Sequence, residues 1–340
     1  MKKYLLPHEG TYYKANLHCH SNVSDARFTP SELKEVYMSM GYSIIAFTDH
    51  DILIPHPELT DENFLALNGY EIEVEEEGFE DRTQQKDCHL CLIALEPDNL
   101  KQVCWHREKY LFCNAVNYKD QVQFDESEPD YVRHYTPECI NDIIRRAREG
   151  GFFVTYNHPE WSGEGYEQYM KYDGMNAMEI FNTSSVYGGY EDYCPHVYDA
   201  MLRGGKRIYC IAADDNHNSI RRGTRDSGGG WIMIKADRLE YRTITKALEE
   251  GNFYASTGPE IHDLWIENGE LHVTTSDAEQ IRFNYGTRRV KRFWAENGES
   301  INHASMELDS HGIYVRVTVE DHRGRCANSN AYFLDTLMSM

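Results

Sequence analysis

Between positions 18 and 217 the chain carries a series of imidazole and carboxylate side chains with short, repeated spacings. His18 and His20 stand in L-H-C-H with Asp25 close behind, and Asp49, His50 and Asp51 follow in T-D-H-D. Glu71 and Glu73 share G-Y-E-I-E, His89 opens H-L-C-L, and His158 lies in N-H-P. Glu179 begins E-I-F-N, and Asp214, Asp215 and His217 close the series in D-D-N-H. A lone His or Asp in a loop usually caps or hydrogen-bonds a turn, and an isolated His-x-His is weak evidence of a metal. The whole set differs in kind: imidazole and carboxylate ligands with no obligatory thiolate suit zinc, manganese or iron. The candidates also outnumber the ligands one ion can use. A cluster of two or three divalent ions, bridged by a carboxylate and by water or hydroxide, accounts for them. Such a centre activates water near neutral pH and stabilises both oxygens of an in-line displacement.

These residues act together only if the fold gathers them. The stretch T-Y-Y-K-A-N-L alternates like a strand, and Thr29-Pro30-Ser31-Glu32 supplies an N-cap, a first-turn proline and a capping-box glutamate. Leu33, Val36, Tyr37 and Met40 recur at helical spacing, Gly41 ends the helix, and residues 43–47 read as a buried parallel strand. Further strands are expected at 70–74, 89–95, 152–156, 177–181 and 207–212. A helix opens at Thr136-Pro137 and carries Ile140, Ile143, Ile144 and Ala147 to Gly150-Gly151. Strands alternating with helices predict a parallel sheet, as a β/α barrel or an open doubly wound sheet. In a parallel barrel every strand ends on one face, so residues distant in sequence converge there. A dinucleotide fingerprint and a phosphate loop are both absent: Gly228-Gly229-Gly230 precedes a strand-like W-I-M-I-K-A, where either motif would open a helix.

Two stretches break this rhythm. Residues 97–135 are polar and rich in Tyr, Asp and Glu, and read as an insertion over the active-site face. After Thr257-Gly258-Pro259 short alternating strands and tight turns predict a small antiparallel β-sandwich. The expected division is therefore 1–258 and 259–340.

Composition limits what the site can meet. With 34 Lys and Arg against 56 Asp and Glu, the chain of 340 residues carries a net charge of −22, which excludes a broad grip on an extended nucleic-acid backbone. Any polyanion must be met locally, by a few arginines or by metal ions. A hydrophobic content of 41% and a charged content of 26% exclude a disordered or collagen-like chain. Nine scattered cysteines, an odd number, favour reduced thiols in a cytoplasmic protein over a disulfide framework. The apolar patch near the N-terminus breaks at Pro7 and His8, too early for a signal-peptide core, and no run of about 18 apolar residues follows. No membrane partner is expected, and the edge strands of the sandwich allow a homodimer. Cys88-x-x-Cys91 has redox spacing but lies in an apparent strand without a second pair.

Taken in order, HCH at 18–20, SD at 24–25, TDHD at 48–51, GYE at 69–71, HLCLIAL from 89, NHP at 157–159, EIFN at 179–182 and DNH at 215–217 resemble the PHP (polymerase and histidinol phosphatase) family. The resemblance covers about residues 12–258, and FYASTGPEI with the sandwich resembles the tail of a stand-alone phosphoesterase subgroup. It implies a distorted seven-stranded β/α barrel with a trinuclear metal centre on its C-terminal face. It would place His18, His20, Glu71 and Asp215 on one ion, with Glu71 bridging to a second ion held by His89 and His158. Asp25, His50 and His217 would hold the third. Asp49 and Glu179 then become residues of the catalytic apparatus that orient imidazoles, while Asp51 shares that duty or caps a helix.

One departure bears on the substrate. Relatives that cleave nucleoside bisphosphates or short oligonucleotides resemble a pattern with a basic residue soon after His-Pro, where this chain reads H-P-E-W-S-G-E-G. Phosphate contact would pass to Arg27 or Arg222, with Arg221 and Arg225 nearby, since planar guanidinium donors suit phosphate oxygens. The same arginines could simply pair with surface carboxylates. Trp161, Tyr166 and Tyr187 are candidates for the pocket wall. The reading is a metal-dependent phosphoesterase of a small phosphorylated molecule, nucleotide-like or a sugar phosphate, using Zn, Mn or Fe ions and a metal-bridging hydroxide. Two others stay open: a hydrolase of an amide or lactone, and a binding module without catalysis.

Overall fold

Thr29 caps the first helix as its sequence predicts: its hydroxyl accepts from Glu32 N at 3.2 Å while the Glu32 carboxylate accepts from Thr29 N at 2.8 Å. The structure, a computed structural model, describes residues 2–308 and 311–338. In chain order the elements are β1 (Lys3–Tyr4), β2 (Thr11–Cys19), α1 (Pro30–Ser39), β3 (Ile44–Phe47), β4 (Leu65–Glu75), β5 (Asp87–Ala94), α2 (Pro137–Glu149) and β6 (Phe152–Tyr156). Next come α3 (Tyr166–Tyr169), β7 (Ala177–Asn182), α4 (Thr183–Gly188), α5 (Pro195–Arg203), β8 (Tyr209–Ala213), β9 (Trp231–Ala236), α6 (Tyr241–Glu250) and β10 (Phe253–Ser256). The remainder is β11 (Ile261–Glu267), β12 (Glu270–Ala278), β13 (Gln280–Asn284), β14 (Val290–Trp294), β15 (Ile301–Glu307), β16 (Tyr314–Glu320), β17 (Cys326–Ser329), β18 (Tyr332–Phe333) and α7 (Leu334–Leu337).

A mixed sheet forms the body of the molecule. β2, β3 and β4 are parallel, as are β6, β7 and β8. The expectation of parallel strands throughout fails at β5, which is antiparallel to both β4 and β6. Because β5 alone is reversed in this run, its beginning lies at the same end as the other strands' C-termini. His89, near that beginning, therefore still faces the common end. β8 returns to β2 there, where Asp215 N donates to His18 O at 2.9 Å and Asp214 N to the Asn16 side chain at 3.1 Å. Beneath lies the main core, to which α2 contributes Ile140, Ile143, Ile144 and Ala147, all fully buried. Replacing one of these isoleucines by alanine costs about 2–5 kcal/mol.

From β2 the large sheet continues antiparallel through β9, β10, β17, β16, β13 and β14. The last part faces a second sheet of order β1-β11-β12-β15, and Leu264, Leu271 and Val273 of that sheet share a core with Phe283, Val317 and Val319 of the first. The expected antiparallel strands after residue 258 are thus present as two packed layers. Pairing crosses the expected division twice, through β1 with β11 and β10 with β17.

The 97–135 stretch is anchored against the site. Trp105, Ala115 and Val122 pack with Val23 and Ile52, and the Gln102 side chain bonds both Asp51 O at 2.7 Å and Leu53 N at 2.9 Å. Asn114 N donates to Ser24 O at 3.0 Å. These contacts hold the two loops that carry Asp25 and His50. All nine cysteines are free, and among the described residues no helix is long and apolar enough to cross a membrane.

Candidate metal centre

His18 lies near the end of β2 and His20 immediately beyond its last residue, two residues apart. Both rings are fully buried, and their Nε2 atoms lie 3.0 Å apart. Glu71, within β4 and also fully buried, is the hub. Its Oε1 lies 3.1 Å from His18 Nε2, 3.1 Å from His89 Nδ1 and 3.5 Å from His158 Nε2. Its Oε2 lies 3.3 Å from His20 Nε2 and 3.2 Å from His50 Nδ1. Asp215 Oδ1 approaches His20 Nε2 at 3.0 Å and His18 Nε2 at 3.3 Å. On the outer side Asp25 meets His217 Nε2 at 3.2 Å and His50 Nε2 at 4.0 Å. All nine residues proposed from the sequence as ligands thus converge on one face.

The ligand atoms fall into overlapping groups: His18, His20, Glu71 and Asp215; His50, Glu71 and His89; and His20, Asp25, His50 and His217. His20 joins the outer group as well as the inner one, which sequence order did not indicate. His158 also stands with His18 and Glu179. The residues fit metal ions on a direct test. His20 Nδ1, His50 Nδ1, Glu71 Oε2 and both ring nitrogens of His89 are buried without a hydrogen-bond partner. Orphaned buried polar atoms are costly, and a cation removes that cost for the Glu71 oxygen and for one nitrogen of each imidazole, the one that offers a lone pair.

The electrostatics tell the same story. Burial works against charge on Glu71, but the His18 and His89 imidazoles and a hydrogen bond from His158 outweigh it and hold its carboxyl well below the usual range. Asp215 is depressed against burial in the same way by His18 and His20. Burial alone would lower His20, yet Asp215 and Glu71 lift it to about 10. Burial and then the neighbouring His20 push His50 down to about 4. The site therefore favours ionised carboxylates facing closely packed imidazoles. Backbone strain accompanies this packing: Asp51 and Asp215 adopt φ of 58° and 53°, a left-handed conformation that costs of order 1 kcal/mol or more for a non-glycine residue.

Supporting residues divide differently from expectation. Glu179 stands against an imidazole, its carboxylate 2.7 Å from His18 Nδ1, and it also accepts from His158 N at 3.0 Å. Asp49 does not bond an imidazole: its oxygens take Ser21 N and Oγ, both at 2.8 Å, and Ser24 Oγ at 2.6 Å, so it braces the turn before Asp25. Asp51 neither orients an imidazole nor caps a helix; it pairs with the buried Arg133 of the 97–135 stretch at 2.5 Å. Burial raises the Asp51 carboxyl to about 7 even so. Asp214 binds the backbone N–H groups of Gly228, Gly229 and Gly230 at 2.7, 3.0 and 3.0 Å, which gives that glycine run a structural purpose.

Beside the hub opens a cavity of about 380 Å³, lined by His50, His89, His158, Asp215, Trp161 and Arg222 among others. Arg222 borders it and donates to Ser184 Oγ. Arg27 is exposed and lies off this lining, its guanidinium 5.6 Å from the Phe28 ring. Trp161 packs in T-shaped contact with His89 and His158 at 5.1 and 5.0 Å between ring centres. Tyr166 and Tyr187 are not among the lining residues, whereas Tyr190, Ser184, Ser185 and Ser219 are, and sequence reasoning passed over all four. Ser185 Oγ is buried without a partner. No periodicity marks these hydroxyls, since they sit on the short α4 and on two separate loops that only the fold brings to the cavity.

No family model and no curated protein matches the sequence. Among solved structures, a two-domain protein containing a predicted PHP-like metal-dependent phosphoesterase from Bacteroides vulgatus aligns over 94% of each chain at 15% identity, with a TM-score of 0.46. The chain is similar to a predicted PHP-like metal-dependent phosphoesterase. A predicted metal-dependent phosphoesterase from Bifidobacterium adolescentis aligns over 62% of this chain and 89% of its own at 16% identity and a TM-score of 0.39. An amidohydrolase from Chromobacterium violaceum, with bound sulfate and no metal, aligns over 60% and 87% at 16% identity and a TM-score of 0.37.

Proposed function

We propose that this chain is a metal-dependent phosphoesterase acting on a small phosphorylated molecule. One observation carries the reading: six imidazoles and the carboxylates of Asp25 and Asp215 gather in overlapping groups about a buried Glu71 whose Oε2 has no hydrogen-bond partner. His18, His20, Glu71 and Asp215 would hold one divalent ion, Glu71 with His89 and His158 a second, and Asp25, His50 and His217 a third. Ions of this kind supply an activated water and neutralise charge on a phosphate. The same reading takes β2 to β8 as a distorted seven-stranded barrel, supported by the Asp215 to His18 backbone bond.

The protein's own groups do the rest. Glu179 and Asp49 hold His18 and the Asp25 turn in place, so the ligand cage needs little rearrangement on loading. Arg222, Ser184 and Ser185 stand on the cavity wall as donors for the non-reacting phosphate oxygens. Trp161 shields the His89 and His158 side from solvent.

The test is elemental analysis followed by Mn-dependent phosphate release from nucleotides, nucleoside bisphosphates and sugar phosphates, with His50→Ala as control. Two or more ions per chain, with release that the substitution abolishes, is the expected result. Bound ions with hydrolysis of an amide or lactone and none of phosphate esters would replace the reading, and a chain that binds no ions would end it.

A further inference from the structure

His89 stands between two carboxylates. Its Nδ1 is 3.1 Å from Glu71 Oε1 and its Nε2 is 3.1 Å from Asp87 Oδ2, yet neither nitrogen completes a hydrogen bond. A neutral imidazole has one N–H and one lone pair, and the partner of one nitrogen decides what the other can do. The tautomer of His89 is therefore settled by whichever carboxylate takes its proton.

The two carboxylates are unequal. Glu71 is already approached by four other imidazoles, those of His18, His20, His50 and His158, and by Asn157 Nδ2 at 2.9 Å. Asp87 is 7% exposed, and its Oδ1 has no hydrogen-bond partner. Asp87 and His89 lie two residues apart in β5 and so project from the same face of the strand. The backbone of Asp87 is pinned by its N–H, which donates to Ser162 O at 3.1 Å. A cation gathered at Glu71 would repel a proton on Nδ1 and drive it to the far nitrogen, where Asp87 waits.

We infer that Asp87 is a positioning residue that accepts the Nε2–H of His89 and leaves Nδ1 as the ligand atom. The inference rests on the metal-centre reading above. It mirrors the arrangement at His18, whose Nδ1 lies 2.7 Å from Glu179 on another side of the cage. Carboxylates holding ligand histidines in this way typically contribute 10- to 100-fold to metal affinity.

The experiment uses the full chain loaded with zinc. Nitrogen-15 NMR of the histidine rings should find His89 protonated at Nε2 and metal-bound at Nδ1, and competition with a chelator should give the affinity of each ion. Asp87→Ala should weaken one ion about 10- to 100-fold and leave the others unchanged. Asp87→Asn keeps an acceptor oxygen and should fall between, which separates loss of orientation from loss of fold. Wild-type affinities in Asp87→Ala, with zinc bound as before, would overturn the assignment while leaving the metal centre standing. A proton found on Nδ1, with Asp87→Asn and Glu73→Gln each losing an ion, would also overturn it and make Asp87 a ligand with Glu73, whose Oε1 is 3.8 Å from Nε2. Wild-type protein that binds no zinc would fail both readings together.

Discussion

His18 and His20 bring their Nε2 atoms to within 3.0 Å of each other; Asp215 Oδ1 lies within 3.3 Å of both, and Glu71 meets His18 Nε2 with Oε1 at 3.1 Å and His20 Nε2 with Oε2 at 3.3 Å. Two buried lone pairs at that distance repel unless a proton or a cation lies between them. The pair is the geometric signature of a site built for positive charge.

Glu71 touches five imidazoles, so its loss should be felt beyond one ion. Glu71→Gln is expected to release more than one ion per chain, whereas His217→Ala, at the outer edge, should release one. Elemental analysis of the purified variants decides it; equal losses would contradict the proposal that Glu71 is shared between ions.

Asp49 acts through the turn that carries Asp25. Asp49→Ala leaves Ser21 and Ser24 with unmet donors and should cost about 1–3 kcal/mol of stability, measured by urea unfolding. Ion binding at Asp25, His50 and His217 should weaken with it, while the His18 group keeps its ion. Unchanged affinity at the outer group would show that the turn holds itself.

Arg222 borders the cavity and Arg27 does not. With phosphate-ester substrates, Arg222→Ala should raise KM about 10- to 100-fold, as expected for a charge-assisted bond of about 1.5–3 kcal/mol. Arg27→Ala should leave KM within a factor of about two, the range of ordinary surface changes. Steady-state kinetics that reverse this order would move the phosphate to the Arg27 side.

Asp199 of α5 ties the body of the molecule to β16: Arg316 reaches it through two donors at 2.8 Å each, and Tyr314 donates at 2.6 Å. Burial opposes its charge, but these partners hold the Asp199 carboxyl below the usual range. Its folded form titrates below the unfolded value of about 3.9. The stabilisation is therefore complete above that pH and is lost as the pH falls toward the depressed value. Asp199→Asn should cost about 3–5 kcal/mol at neutral pH, because it leaves a buried guanidinium uncompensated. Denaturant midpoints should converge with wild type on acidification, and a gap that stays constant down to about pH 3 would rule this origin out.

Several elements were legible in the sequence alone. Capping residues and apolar spacing located α1 and α2, and strand composition located β6, because these signals act over a few residues. The residues proposed as ligands were legible for a related reason: His and acid side chains at strand ends are a local pattern, and their order along the chain resembles a known one. What the sequence could not determine were relations between distant segments. The reversal of β5, which brings His89 to the cage from a strand's beginning, depends on hydrogen bonds to β4 and β6. Asp49 bracing Ser21 and Ser24, Arg133 answering Asp51, and Asp87 facing His89 depend on which side chains meet once the core has packed. Spacing constrains what a residue can be; only packing in three dimensions decides which neighbour receives its charge or its proton.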